Sequence, residues 1–385
     1  MEKAAVVYIV STLGRTGPTR QLLNLVKHLD RNSFDVHILT LPLEPKDSLK
    51  SKFGEIRVNL HCLELTRLAS VFFGHAKVKK LLCALEPDII HTQGLRADWL
   101  SARLPFPHKI ATQRNNPFSD YPQLMGLVVG RIAAHLHCYA LRKLEVVTCS
   151  DSVASLNHGI NIDSNVIRNG VDTSAFKPIQ NSELKQTQRL NLGLPPDGRF
   201  FIYTGPLIVR KNIEFLIKSI IGHAIDSDYL IILGTGSSLN HLDQIAKVHP
   251  NIIFRDPTDN VLPYLQAADY FVSASYDEGL PNSVLEALAA GLPVLLSDIS
   301  AHREIIKLSP SSGELFCLNR LDTFYRAIDN LAFKQKTENA NNAARASAVK
   351  YFSAEQMAAG YQRFYDDLLT QSLHISTRHS RICGK

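Results

Sequence analysis

The sequence predicts an α/β protein of two doubly wound parallel sheets facing a central cleft, and three observations predict it. Short runs rich in β-branched and aromatic residues alternate with longer helical patterns through most of the chain, as parallel strands joined by crossover helices do. A polar, proline-bearing stretch at 177–198 interrupts this alternation once, and the same rhythm then restarts. The 385 residues are enough for two or three domains at roughly 150 residues each.

In chain order, the first half offers strands at 5–10, 35–39, 89–91, 109–112, 146–149 and 166–167, with helical patterns such as 19–29 and 76–85 between them. The opening apolar run, 4–10, is too short for a signal peptide and reads as a first buried strand. After the linker, strands are expected at 200–203, 229–233, 252–254, 270–273 and 293–297. Near the end, 353–369 reads as a helix capped by Ser353, with Glu355 in its first turn.

Composition narrows the class. Hydrophobic residues make up 45% and charged residues 20%, so a disordered chain and a small disulfide scaffold are both excluded. The six cysteines, at 62, 83, 138, 149, 317 and 383, form no CxxC pair, which removes support for zinc ribbons and redox motifs and leaves small buried hydrophobes. The apolar stretch 124–144 is broken by Arg131, His135, His137, Arg142 and Lys143, whereas a bilayer span needs about 20 nearly uncharged residues. A soluble, cytoplasmic protein is the expectation. The net charge of +6 is too modest for a histone-like binder, and no nucleic-acid motif accompanies it.

Doubly wound sheets bind ligands beyond the carboxyl ends of their strands, so the strand-to-loop junctions carry the function. The first is Ser11-Thr12-Leu13-Gly14-Arg15-Thr16-Gly17-Pro18-Thr19. Its glycines allow close backbone approach, Pro18 suits a first helical position, and the following helix N-terminus offers amides to an anion. It is no Walker A loop, because GxxxxGK[ST] is absent.

The richest junction is 275–294, SYDEGLPNSVLEALAAGLPV, which reads as strand end, loop, helix, glycine stop and strand. Pro281 near the helix start and Gly291 past its end follow the usual asymmetry. Glu278 falls at the strand's carboxyl end. The amides around Leu280–Ser283 lie at a helix N-terminus suited to a diphosphate, and Glu286 sits on the helix, able to accept from a diol such as ribose. Taken as two isolated acids, Glu278 and Glu286 read as ordinary solvated surface residues.

Glu278 and Glu286 form an EX7E pair, and the string around them resembles the signature of the family-4 retaining glycosyltransferases of GT-B fold, of the bacterial surface-polysaccharide or lipid-linked-glycan type. Further motifs extend the resemblance over most of the chain. Pro87-Asp88-Ile89-Ile90-His91-Thr92 resembles the family's "PDVIH" strand, and Ile167-Arg168-Asn169-Gly170-Val171-Asp172 its "PNGVD" turn. Tyr203-Thr204-Gly205 with Lys211-Asn212 is similar to the donor-phosphate segment, Leu233-Gly234-Thr235-Gly236 to the "GxG" turn, and Ala268-Asp269 to the "aD" before the signature strand.

The resemblance implies two Rossmann-like domains. One, residues 1–172, is expected to bind the acceptor, with 353–385 packing back on it; the other, 173–352, is expected to bind the nucleotide-sugar donor. It implies that Glu278 touches the donor sugar and Glu286 the ribose. Lys211, with Gly205, Gly234, Gly279, Leu280, Pro281, Asn282 and Ser283, would line the donor. Gly14, Thr16 and Gly17 fall on the acceptor side. The implied co-substrate is a nucleotide sugar such as a UDP- or GDP-sugar, with no metal and no other cofactor.

Two departures alter the expected site. Pro206 stands where the family has a phosphate-gripping Arg, with Arg210 beside Lys211 able to replace its charge. Arg114 stands where the family often has a His, and an arginine there binds an oxyanion but cannot act as a base near pH 7. His91 is the remaining candidate for a catalytic imidazole, with a structural strand-end role as the alternative. An epimerase of the same shape and a non-catalytic subunit are the competing functions.

Two segments, 65–82 and 126–143, combine basic and apolar residues at helical spacing, which fits either an interfacial helix or a core-facing one. The first includes Arg67, Val71, Phe72, Phe73, Lys77, Lys79 and Lys80. The excess positive charge is concentrated as well: residues 1–172 hold 21 Lys+Arg against 15 Asp+Glu, while 173–385 hold 21 of each. An anionic acceptor or lipid leaflet is therefore the expected partner of the first half.

Overall fold

The computed structural model describes residues 3–66, 74–223, 225 and 227–373. It divides into two compact units, one formed by residues up to Gly170 together with the helix from Ala354, the other by Val171–Ser353.

The first unit is built on a seven-stranded parallel sheet: β1 (Ala4–Val10), β2 (Phe34–Thr40), β3 (Asn59–Cys62), β4 (Ile89–Gln93), β5 (Lys109–Gln113), β6 (Glu145–Thr148) and β7 (Ser164–Val166). Their order is β3-β2-β1-β4-β5-β6-β7. The sheet reverses direction of growth between β1 and β4, which pair from Val6 against Ile89 to Val10 against Gln93. Apolar residues on both faces of β1 are buried, including Val6, Val7 and Ile9, because helices cover the sheet on both sides.

Five helices of this unit matter below: α1 (Gly17–His28), α2 (Gly74–Leu85), α3 (Leu95–Ser101), α4 (Pro117–Met125) and α5 (Leu127–Leu141). The second unit has a six-stranded parallel sheet, β8 (Arg199–Thr204), β9 (Asp228–Leu233), β10 (Ile252–Arg255), β11 (Tyr270–Ser273), β12 (Val294–Ser297) and β13 (Gly313–Phe316). Its order is β10-β9-β8-β11-β12-β13, with the reversal between β8 and β11. Helices α6 (Asn282–Ala289) and α7 (Ser300–Leu308) follow β11 and β12.

The last helix, α8 (Ala354–Leu373), belongs to the first unit. Its Met357, Ala358, Tyr361, Tyr365 and Leu368 join a buried cluster with Tyr8, Leu22, Leu25 and Ile110.

Two strands were not anticipated, β3 and β13. Both are edge strands, buried less completely than their neighbours, and their sequences NLHC and GELF lack the continuous apolar run that two-sided burial imposes. Of the two amphipathic segments, residues 67–73 lie outside the described part. The remainder of the first forms α2, which turns Val78 and Leu82 into the core, so its described apolar side is not an interfacial face. The cysteines divide: Cys138 and Cys149 are buried as expected, but Cys62 and Cys317 are exposed. Among the described residues, no helix is long and apolar enough to cross a membrane.

Candidate functional site

In the second unit, the strand order reverses between β8 and β11, and ligands of open parallel sheets bind outside the carboxyl ends at such a point. Two loops leave there. The one after β8 runs through Gly205, Pro206 and Leu207 into a single 3-10 turn, Val209–Lys211. The one after β11 carries Ser275, Tyr276, Asp277 and Glu278 to the start of α6. They are stitched together by the Tyr276 amide donating to the Arg210 carbonyl at 2.9 Å.

That stitching brings together the three charged residues the sequence singled out here. The Glu278 carboxylate is ion-paired with Lys211 Nζ, and its other oxygen lies 3.2 Å from Arg210 Nη1. Arg210 Nη1 also donates to the Asp277 carbonyl at 2.6 Å, and Ser275 Oγ to Glu278 at 2.7 Å. The Glu278 side chain is only 7% exposed. Burial alone pushes its pKa up, but Lys211, Arg210 and the Ser275 hydrogen bond outweigh it and hold the carboxyl below its ordinary value. An ionised acid thus sits between two cations. With Pro206 in the loop, the second positive charge comes from Arg210, which the 3-10 turn directs to Glu278.

Backbone packing explains the glycines. The turn after β9 lies directly against the loop after β8: the Gly205 amide donates to Leu233 O and the Leu207 amide to Thr235 O. A Cβ on Gly234 would stand 1.9 Å from the Gly205 carbonyl oxygen, so only glycine fits there. The Gly205 and Gly234 of the donor-binding expectation hold these two loops in contact. Gly279 and Leu280 lead into α6, whose N-cap is Pro281 and whose first residues are Asn282 and Ser283, so the positive end of its dipole points at the Glu278 loop. Glu286 is half-buried in the middle of that helix.

The sequence reading missed one neighbour, His302 of α7. It is fully buried, and its Nδ1 donates to the Ser297 carbonyl at 2.9 Å while Nε2 has no hydrogen-bond partner. Burial lowers its pKa to about 4, the Glu278 charge opposing only in part, so the ring is neutral and Nε2 is an acceptor. Ser297 Oγ ties the same strand end to the Ser275 carbonyl at 2.6 Å. A lone His in SAHREII has no local signal for this; only the pairing of β11 with β12 brings it near Glu278.

In the first unit, the loop after β1 holds Gly14 and Thr16, and Gly17 opens α1. Thr16 is the N-cap of α1 and accepts from the Thr19 amide. The Leu13 amide is already taken by the Glu44 carboxylate, at 2.9 and 3.1 Å. One amide of this loop is therefore met by a carboxylate of the chain itself.

His91 takes the structural strand-end position that was its alternative reading. It is fully buried, its Nδ1 meets the Tyr365 hydroxyl at 2.6 Å and its Nε2 the Thr112 hydroxyl at 2.6 Å. Tyr365 OH continues to Tyr8 OH at 2.9 Å, and Thr112 Oγ1 to Tyr361 OH at 2.8 Å. Both ring nitrogens are thus spent fastening α8 to β1, β4 and β5. Burial first, and then Arg114, lower the His91 pKa to about 3, so the imidazole is neutral and enclosed.

Arg114, the residue after β5, is placed differently. Its Nη1 donates to Asn169 Oδ1, while Nε and Nη2 are buried without a partner. Gln93, at the end of adjacent β4, is also buried with its Nε2 unpaired. Three N–H-bearing atoms without acceptors at neighbouring strand ends are costly in the free protein.

Two family models match the chain: "Glycosyltransferase Family 4" over residues 15–175 and "Glycosyl transferases group 1" over residues 198–333. The O-antigen biosynthesis glycosyltransferase WclY of Escherichia coli is 25% identical over 381 residues, covering 96% of this chain and 99% of its own. An Escherichia coli UDP-Gal:alpha-D-GlcNAc-diphosphoundecaprenol alpha-1,3-galactosyltransferase is 31% identical over 175 residues, 42% of this chain and 43% of its own. Among solved structures, Anabaena HepE in complex with UDP and glucose superposes with a TM-score of 0.79 at 15% identity, over 94% of this chain and 100% of its own. That likeness concerns the fold, which is GT-B.

Proposed function

The chain belongs to the family-4 glycosyltransferases, and on that premise we propose a retaining enzyme that moves a sugar from a nucleotide diphosphate sugar to a glycan or polyprenyl-linked acceptor. The observation that carries the reading is the Glu278 carboxylate held between Lys211 and Arg210 at the switch point of the second sheet. Two cations beside a helix N-terminus suit a diphosphate, and an ionised acid beside them suits sugar hydroxyls.

In this reading, Lys211 and Arg210 take the diphosphate while Glu278 orients the sugar and Glu286 the ribose. The bond between the anomeric carbon and the phosphate oxygen breaks as the acceptor oxygen attaches on the same face. The acceptor's proton passes to the departing phosphate. Charge that develops on the leaving group is then met by fixed cations, and the proposed reaction needs no metal. A UDP-sugar donor is supported by the UDP complex of HepE. In the first unit, the unpaired donors of Arg114 and Gln93 support an acceptor bearing a phosphate or diphosphate. The expected setting is bacterial surface-polysaccharide assembly, with the protein peripheral on the cytoplasmic face of the inner membrane.

A panel of UDP- and GDP-sugars in thermal shift tests the donor. At about 100 times Kd a true donor adds roughly 2.7 kcal/mol of stability, a shift of several degrees. A panel in which no nucleotide raises the melting temperature overturns the reading. NMR of the product linkage then checks retention of anomeric configuration.

A further inference from the structure

We propose that the α4–α5 hairpin of the first unit is the surface through which this protein docks on an anionic lipid bilayer. The inference rests on the lipid-linked acceptor reading for its setting and adds the residues that make the contact.

Of nineteen large apolar side chains exposed among the described residues, eight fall between Leu124 and Tyr139. Leu124, Leu127, Val128, Val129, Ile132 and Leu136 are 45–76% exposed, a concentration that marks an interaction surface rather than scattered surface residues. The hairpin cannot hide this face by rolling inward, because its other side is already spent. Ala133, Ala134, Cys138 and Leu141 are buried. His137 Nε2 lies 2.7 Å from Asp98 of α3, and its Nδ1 lies 2.7 Å from the Tyr121 hydroxyl of α4. At Gly130 the helices touch so closely that a Cβ would stand 2.4 Å from the Pro122 nitrogen.

Charge then identifies the occupant. Residues 121–144 contain no Asp or Glu, and their cations are Arg131, Arg142 and Lys143, all exposed. At the end of the apolar face, Trp99 and Tyr139 have ring centroids 6.2 Å apart, with the Arg103 guanidinium 4.2 Å over Trp99 and Lys143 Nζ 4.4 Å over Tyr139. Apolar tips, aromatic rings with polar edges and a basic collar are the composition of a helix lying in the headgroup region of an anionic leaflet. A second copy fits less well, since a two-fold contact sets the same patch against itself and, Asp120 in the first turn of α4 apart, its formal charges are positive.

Trp99 is the chain's single tryptophan, so its emission reports on docking directly. Vesicles of phosphatidylethanolamine with phosphatidylglycerol are expected to shift that emission to the blue and to co-sediment the full-length protein, while neutral phosphatidylcholine vesicles do neither. The double variant Val128→Glu/Ile132→Glu, at exposed positions, is expected to lose at least tenfold in vesicle affinity. Arg131→Ser loses about fivefold. The melting shift given by UDP reports that the variants are folded and is expected to persist in both. Failure of the wild type to bind anionic vesicles, or unchanged binding by the double variant, overturns the proposal. So does a dimer in analytical ultracentrifugation that the double variant dissolves without vesicle binding, which assigns the face to a second copy. Vesicle binding in a protein that answers to no nucleotide supports docking and removes the transferase reading alone.

Discussion

The two parallel sheets each bury a polar cluster near the point where strand order reverses, and the clusters are built from opposite chemistry. In the second unit the cluster is ionic: Glu278 between Lys211 and Arg210, at strand ends, on loops held by a glycine-only contact. In the first unit it is neutral: His91, Thr112, Tyr8, Tyr361 and Tyr365, inside the sheet and against α8. A closed set of neutral hydrogen bonds satisfies its own members and fixes a helix. Buried charges carry a desolvation cost that good packing would avoid, and their retention at strand ends is what the proposed function accounts for by a charged ligand. The same place in two similar sheets thus serves structure in one and, in the function proposed above, chemistry in the other.

The ionic cluster is where the largest effects are expected. Lys211→Ala removes a fixed cation from the proposed leaving group and should lower turnover about 100-fold or more, the usual scale for one preorganised charge partner. Glu278→Gln keeps the shape of the side chain and should lower turnover comparably while the protein stays folded. Steady-state kinetics with the donor that the melting panel selects, alongside circular dichroism, separates loss of chemistry from loss of fold. Near wild-type rates for either variant would move the ionic cluster to the structural side of the comparison.

The neutral cluster should respond in stability instead. His91→Phe strands the hydroxyls of Thr112 and Tyr365 and should cost about 2 kcal/mol in denaturant unfolding, with turnover preserved for the folded fraction. Its pH signature is distinct. The unfolded chain protonates His91 and His302 below about pH 6.5, whereas burial holds the folded pKa values at about 3 and about 4. Stability from both rings is therefore full above about pH 6.5 and falls as the pH drops towards those values, by up to roughly 1.4 kcal/mol per unit for each histidine. His91→Phe should flatten about half of that slope. A pH profile identical to wild type would show that His91 is not held neutral in the fold.

This contrast also explains what could be read from the sequence. The ionic cluster was legible because Lys211 and Glu278 sit in local strings, a phosphate-type loop and a helix start, that resemble a known family; as isolated charges they read as solvated surface residues. His91 looked like the same kind of residue, a polar group at a strand end. Its role is decided by Tyr361 and Tyr365, some 270 positions away on α8, and no local pattern encodes that pairing. His302 stayed invisible for the same reason, since it reaches Glu278 only through strand pairing. The central strands were legible from their apolar runs, whereas β3 and β13 were not, because an edge strand is released from two-sided burial. The segment 126–143, most of which forms α5, stood between these cases. Its composition admitted both an interfacial and a core-facing helix, and the buried His137–Asp98 pair shows which face is left outside.

The smallest expected effect tests the loop after β1, which stands between the two classes. Thr16 caps α1 by accepting from the Thr19 amide, and its hydroxyl lies 2.9 Å from Thr19 Oγ1. Thr16→Ala should therefore cost about 1 kcal/mol of stability, with Thr16→Ser recovering most of it, as for other N-caps. If capping is its whole role, KM for the acceptor stays at the wild-type value in both variants once the unfolded fraction is subtracted. A rise in acceptor KM for Thr16→Ala that Thr16→Ser rescues means instead that the hydroxyl reaches the acceptor. The acceptor side would then begin at this loop, beside Glu44, where the chain's own carboxylate already fills the Leu13 amide. An acceptor phosphate would have to bind away from that carboxylate, at the unpaired donors of Arg114 and Gln93.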